Sequence, residues 1–332
     1  MGHMLRRISF YVFAIWIAVT LDFFIPRLAP GDPVAAIVGK MSTKGYVTPE
    51  MKQTLSAMFG LDTHDPLWMQ YFKYLGNLLR GDFGNSIQYF PTPVLKIIGQ
   101  DIGWSVMLGG VAVVLSFAIG CLLGILVAWK RGTLLDTILS PVMNFLSAIP
   151  YFWLALISLY VFSYLLSWFP LSGGYDSANI DPGWTFDYIG SVIQHAFLPA
   201  LTLIISSLAG WMLTMRNSMI TTLSEDYVLM AKAKGLPEGR IMLWYAARNA
   251  VLPNITGFAI AIGAIVGGQL LTEMVFSYPG IGYALLQAVN QQDYAMVQSI
   301  FLIITLAVLG ANFLADVLYV FLDPRVRVER GF

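Results

Sequence analysis

Charge is scarce in this chain, and cysteine and histidine are scarcer still. Lysine, arginine, aspartate and glutamate together make 11% of the 332 residues, where ordinary soluble domains carry roughly a quarter. The single cysteine, Cys121, lies inside an apolar run, and His3, His64 and His195 stand far apart. A disulfide framework and a zinc site are both excluded as organising features. Cations and anions balance at 19 each, so nothing points to nucleic acid or another polyanion as a partner. A phosphate-binding loop is missing too: Gly39-Lys40 has neither the upstream glycine nor the following hydroxyl that such a loop needs. No nucleophile–base pair and no cluster of metal ligands can be assembled from the spacing, so no catalytic, cofactor-binding or metal residue is assigned.

What is abundant is apolar side chain, 57% of the sequence. A soluble fold of this size could not bury so much, and lipid must serve as solvent for much of the chain. A span needs about 20 apolar residues to cross roughly 30 Å of hydrocarbon. Six stretches qualify, at about 8–28, 103–129, 138–168, 193–215, 253–275 and 297–321. The first follows the basic Leu5-Arg6-Arg7 and runs into Pro30-Gly31-Asp32-Pro33 rather than a small-residue cleavage site, so it reads as a span and not a removed signal.

The expected organisation is an N-terminus and first span (1–28), an extramembrane insertion (29–102), a core of five spans (103–321) and a short tail (322–332). The insertion holds Lys40, Lys44, Glu50, Lys52, Asp62, Asp65, Lys73, Arg80 and Asp82 among turn residues, as a small domain or a set of interfacial helices would. Arg6, Arg7, Lys130, Arg131, Arg216, Lys232, Lys234, Arg240, Arg248, Arg325, Arg327 and Arg330 all fall on one side of the membrane. The loops at about 169–192 and 276–296 have no cation but carry Asp176, Asp181, Asp187 and Asp293. The positive-inside rule therefore places both termini in the cytoplasm and the insertion outside.

Gly120–Gly124 and Gly263–Gly267 repeat small residues four apart, the spacing that lets helix backbones approach in lipid, although Gly-rich spans also show it by chance. Pro141, Pro150 and Pro199 should kink or bound their helices, and Pro253 suits the start of the fifth span. Asp22, Glu273 and Asp316 fall within or at the rims of spans. A carboxylate at mid-bilayer costs about 2.5–3.5 kcal/mol, so Asp22 and Asp316 either serve a polar pathway or inter-subunit contact, or pair locally or are protonated, while Glu273 reads as interfacial. Trp68, Tyr71, Tyr74, Tyr89, Phe90, Trp168 and Trp184 cluster in outer segments; an interfacial belt explains them more simply than a receiving surface.

The most informative stretch is the loop at 216–252, between the fourth and fifth spans. Ser224 suits an N-cap, Glu225 and Asp226 suit a helix start, and Lys232 and Lys234 suit its last turn. Gly235 should stop that helix, Pro237 follows, and a second helix should run from Glu238 to Ala250. Small residues at Ala231 and Ala233 would let the first helix sit in a partner's groove, while geometry alone fits a helix lying on lipid headgroups equally well.

In combination, these motifs resemble the permeases of ABC importers of the dipeptide/oligopeptide, binding-protein-dependent class, B-type. The resemblance rests on Arg27-Leu-Ala-Pro-Gly-Asp-Pro33, Phe59-Gly-Leu-Asp62, Gly81-Asp-Phe-Gly-Asn-Ser86, Asp226-Tyr-Val228 with Ala231-Lys-Ala-Lys-Gly235, Arg248-Asn-Ala-Val-Leu-Pro253, Glu273-Met-Val-Phe276, Pro279-Gly-Ile-Gly282 and Leu322-Asp-Pro-Arg-Val-Arg327. It implies an all-α integral membrane fold of six transmembrane helices, with an extracytoplasmic insertion after the first and a cytoplasmic coupling helix. It assigns Ala231, Lys232, Ala233, Lys234, Gly235, Leu236, Pro237 and Arg240 to contact with an ATPase subunit. The wider importer consensus has a glutamate six residues before that glycine; here the position is Leu229.

The implied assembly is a second homologous permease, two cytoplasmic ATPase subunits that hold ATP and Mg, and an extracytoplasmic solute-binding protein. Its home would be a bacterial or archaeal plasma membrane. Oligopeptides or oligosaccharides would be the cargo, the latter because Pro150-Tyr-Phe-Trp-Leu154 and Gly210-Trp-Met-Leu213 resemble sugar-associated members. An ion-coupled secondary transporter or a non-transporting membrane scaffold are the competing readings.

Overall fold

The computed structural model describes residues 2–28, 65–265 and 269–322. Helix is the only regular element among them, apart from an isolated bridge between Asn85 and Pro93. In order they are α1 (Gly2–Leu28), α2 (Leu67–Leu79), α3 (Val94–Trp129), α4 (Leu134–Ala148), α5 (Tyr151–Ser158), α6 (Phe186–Thr222), α7 (Asp226–Ala233), α8 (Glu238–Arg240), α9 (Arg248–Ala250), α10 (Leu252–Ala264), α11 (Leu270–Val275), α12 (Ile281–Asn290) and α13 (Tyr294–Leu322). Backbone groups in lipid must bond within their own segment, which is why an apolar chain of this composition becomes helix.

Among the described residues α3, α6 and Tyr294–Leu314 of α13 are long and apolar enough to cross a membrane. Stretches at Ile8–Phe24 and Leu252–Ala264 are apolar but shorter. The third expected span differs from an unbroken helix. It starts at Leu134, breaks at Ile149–Pro150, and its two halves are bent by 93°. At the break Ile149, the residue before Pro150, is extended, the conformation a following proline favours, and Pro150 caps α5. Pro141 and Pro199 are carried inside α4 and α6, and Pro253 sits in the first turn of α10. Beyond α5 the helix continues as a π-helical turn, Leu159–Leu165, and a second such segment, Ile241–Ala247, joins α8 to α9. Both α3 and α6 outrun their apolar windows, since hydrogen bonding along the axis continues past the hydrocarbon; Thr185 caps α6 by accepting from the Tyr188 amide at 3.3 Å.

The chain divides into two units, Met1–Trp104 with Pro279–Leu309, and Ser105–Tyr278 with Gly310–Phe332. In the first, α2 packs on the last described turns of α1. Phe23, fully buried, lies 5.3 Å from the Tyr71 ring and 5.5 Å from Tyr74. Tyr71 and Tyr74 therefore pack on α1, while Trp68 in the first turn of α2 stays 62% exposed. The Gly81–Ser86 motif is a tight loop, with Gly81 and Gly84 in the left-handed region and the Gly84 amide donating to Asp82 Oδ1.

That loop is held by an acid the sequence marked only as an outer-loop charge. Asp293, the residue before α13, is 1% exposed and accepts from Ser86 Oγ, from the Gln88 amide at 3.1 Å and from the Met296 amide at 3.1 Å. It is both the N-cap of α13 and the anchor of the glycine loop. Asp293→Ala strands these donors, and we expect it to lower stability by about 2 kcal/mol or more, with Asp293→Asn milder. Thermal unfolding in detergent checks this; an unchanged melting temperature would show that the loop does not depend on Asp293.

The second unit is built on close backbone contact. A Cβ added at Gly120 would lie 2.6 Å from Trp211 Cβ, and one at Gly124 2.6 Å from the Met212 carbonyl oxygen, so α3 and α6 touch along the glycine edge. A Cβ at Gly263 would collide with Ala311; Gly267 lies outside the described residues. Next to this seam Asn254, 1% exposed, donates to the Trp211 carbonyl at 3.0 Å and to Cys121 Sγ at 3.1 Å, tying α10 to α6 and α3. Glu273 is fully buried by protein and accepts from Ser105 Oγ at 2.7 Å. A hydrogen-bonded partner makes such burial tolerable.

Candidate functional site

The loop from Leu223 to Val251 is the most structured connection in the second unit. α7 spans Asp226–Ala233, with Glu225 rather than Ser224 at its N-cap. Ser224 Oγ instead donates to the Thr221 carbonyl at 2.7 Å, the local back-bond open to a serine at a helix end. At the other end Gly235 has φ +70°, its amide donates to the Lys232 carbonyl at 2.9 Å, and the Leu236 amide donates to the Ala231 carbonyl at 3.3 Å. This paired pattern is the Schellman stop, which needs a residue able to enter the left-handed region. Pro237 then caps α8.

α7 has an inner and an outer face. Val228, Ala231 and Ile241 form a buried cluster, with Trp129, Leu223, Leu236 and Tyr245 packed against it. Ala231 is 2% exposed, so its small side chain serves packing within this chain and does not face a partner, contrary to the expectation from sequence. Leu236 is likewise turned toward the cluster. The outer face carries Leu229, Met230, Lys232, Ala233 and Lys234, all exposed, followed by exposed Gly235, Pro237 and Arg240. Met230 is 61% exposed, a large apolar side chain held out of the packed cluster. Behind α7, Asn249 Nδ2 donates to Tyr227 Oη at 2.9 Å and fixes the second helical segment to the first. That segment runs Glu238–Arg240, Ile241–Ala247 and Arg248–Ala250, the extent expected, with π-helical geometry in its middle.

The loop stands on a second apolar cluster. Cys121, Ile125 and Ala128 of α3 meet Met215 and Met219 of α6, and Ala246, Ala247 and Ala250 behind α7. α7 is thus a small platform with an apolar and cationic upper surface, joined through buried contacts to the ends of α3 and α6.

Of the two intramembrane acids singled out, Asp22 is 8% exposed and paired locally: Tyr74 Oη donates to its Oδ2 at 3.1 Å, and Gln298 Nε2 to its backbone carbonyl at 3.0 Å. The side chain of Asp316 lies outside the described residues. In the acidic loop before α6, Asn179 and the amides of Ala178 and Asn179 hold the Asp176 carboxyl below its ordinary value. No group of three or more His, Cys, Asp or Glu that could hold a metal occurs among the described residues.

Comparison with known proteins bears directly on this loop. The family model described as "binding-protein-dependent transport system inner membrane component" matches residues 120–328, which contain all of it. The di/tripeptide transport system permease protein of Pseudomonas aeruginosa is 34% identical over 98% of both chains. The dipeptide transport system permease protein of Escherichia coli is 33% identical over 98% of both. The oligopeptide transport system permease protein of Bacillus subtilis is 33% identical over 92% of this chain and 93% of its own.

Proposed function

The chain belongs to the family of inner membrane components of binding-protein-dependent transport systems, and from that membership we propose that it forms half of the translocation path of an ATP-driven peptide importer. The observation that carries the reading is the outer face of α7, where Leu229 and Met230 are held in solvent beside Lys232 and Lys234 on a buried base. A helix this short has little stability alone and owes its place to packing. A helix so braced, with large apolar groups exposed, is suited to fill a pocket on another subunit.

The partners we propose are a cytoplasmic pair of ATPases, which hold ATP and Mg, a second homologous permease and an extracytoplasmic solute-binding protein. Both termini would be cytoplasmic, with α7 on that side. ATP-driven closure of the ATPases would move α7, and the spans would switch between outward- and inward-facing arrangements as rigid bodies. Peptides are the proposed cargo because the relatives named above are peptide, dipeptide or oligopeptide permeases. The oligosaccharide reading loses one of its supports: in Gly210–Leu213, Met212 is fully buried and Trp211 packs edge-on to Phe117 at 5.5 Å, so that segment has a packing role of its own.

Purification of the tagged chain from native membranes in mild detergent should bring down a second permease and ATPases with phosphate loops. Reconstituted with the binding protein, that complex should take up labelled dipeptide or oligopeptide only with ATP inside. Uptake driven by an ion gradient without ATP would move the chain to the secondary-transporter class; partners without any flux would make it a scaffold.

A further inference from the structure

At the same end of the molecule as α7, the carboxylate that opens α4 gathers donors from three elements. Asp136 Oδ1 accepts from Arg216 Nη2 at 2.8 Å, from Arg216 Nε at 2.9 Å and from Ser140 Oγ at 2.8 Å. Its Oδ2 accepts from the amide of Gly132, in the turn after α3, at 3.2 Å. Gly132 has φ +79°, so the turn takes a conformation that a side chain would oppose. The carboxylate and guanidinium side chains are 11% and 20% exposed. A pair so shielded keeps its direction where a solvated surface pair would not.

What this pair joins matters more than how strongly it joins it. Arg216 sits near the end of α6, which runs through Leu223–Glu225 into α7. Asp136 sits in the first turn of α4, which leads to the break at Ile149–Pro150 and the 93° bend. α3 and α6 are already locked to each other by the contacts at Gly120 and Gly124. α4 meets them otherwise through apolar packing of Met143, with Leu139 and Leu146, on Val127, Ala209 and Met212. Apolar packing is not directional and allows helices to shift by small slides. The ion pair and its added hydrogen bonds fix α4 to α6 at a set distance and angle.

We propose that Asp136 and Arg216 are positioning residues for transport: they transmit displacement of α7, through the end of α6, to α4 and so to the broken third span. This rests on the importer reading above. The prediction is specific to transmission, because a buried ion pair can be exchanged for apolar residues without loss of stability.

The test uses the whole complex purified through this chain, reconstituted with its binding protein, and reads peptide uptake per ATP hydrolysed beside the melting temperature. Asp136→Asn should keep basal ATP hydrolysis and lower uptake per ATP by about 5- to 150-fold, the span of ordinary coupling between sites. Asp136→Leu with Arg216→Met should restore the wild-type melting temperature yet leave uptake per ATP low, and Asp136→Glu should recover part of it. Recovery of uptake together with stability in the apolar pair overturns the proposal, since the bridge is then only structural. If that pair does not assemble, Arg216→Lys decides: it keeps the charge and removes the fork, and unchanged uptake per ATP overturns the proposal while a fall at unchanged melting temperature supports it. Absence of ATP-driven uptake in the wild-type complex is a separate result and removes the importer reading itself.

Discussion

Gly124→Leu is expected to abolish accumulation of the folded chain. A Cβ there would stand 2.6 Å from the Met212 carbonyl oxygen, 2.7 Å from Met215 Cβ and 3.0 Å from the Arg216 amide nitrogen. These neighbours are mostly backbone, which cannot turn aside as a flexible side chain can. Even Gly124→Ala should cost about 1–3 kcal/mol by overpacking, and leucine must separate α3 from α6 altogether. The lost contact cannot be made good by lipid, because helices in a bilayer associate through close packing. The same disruption would unseat Met215 and Met219 from the cluster beneath the α7 loop. Gly210→Leu, on the same α6 but with open space beside it, is the control and should be near neutral. Fluorescence-detected gel filtration and thermal melting of the three variants read the result; a well-folded Gly124→Leu chain would contradict the glycine seam.

The second large effect concerns the outer face of α7. Met230→Asp and Ala233→Trp should each reduce ATP-driven uptake by at least about 30-fold, as loss of an interface anchor worth ~2 kcal/mol would. The melting temperature of the isolated chain should not move, since both side chains are exposed. Ala231→Leu separates the two faces. Ala231 is packed with Val228 and Ile241, so a larger side chain there should lower stability first and transport as a consequence. Gly235→Ala should cost about 1–2 kcal/mol through its left-handed backbone, and Gly235→Asn less. Uptake that survives Met230→Asp would sink the assignment of this face to the ATPase. If Ala231→Leu behaved like an exposed substitution, the inner packing would be in error.

Much of this was legible in the residues, and what was not has physical reasons. The stop of α7 could be read because Gly235 and Pro237 are local signals with one meaning at a helix end. Which way Ala231 faces could not, since an eight-residue helix has too few turns for its apolar residues to define a stripe. The spacing of Gly120 and Gly124 allowed a close approach or chance, and the stretch of α3 around them is apolar on all sides, so no face names its partner. The Asp136–Arg216 bridge joins residues 80 apart, and Asp293 reaches Ser86 across 207 positions. Long-range pairing of single polar residues leaves no periodic trace in a sequence. The burial of Glu273 was hidden for a related cause: its partner Ser105 is 168 residues away, so nothing nearby told of an acid packed inside the protein.

The π-helical turns at Leu159–Leu165 and Ile241–Ala247 carry a consequence for how the chain can tolerate change in length. A π turn bonds five residues back where an α turn bonds four, as the Leu166 amide does to the Val161 carbonyl at 3.0 Å. Each such turn therefore contains one residue more than the α-helical path between the same ends requires. Dropping a residue elsewhere in a helix turns everything beyond it by about 100°. Dropping one inside either π segment converts it to ordinary α-helix and leaves the phase of both flanks as it was. The segment beyond α8 thus holds a spare residue between α7 and α10, and the one beyond α5 holds another at the far end of the bent α4–α5 pair.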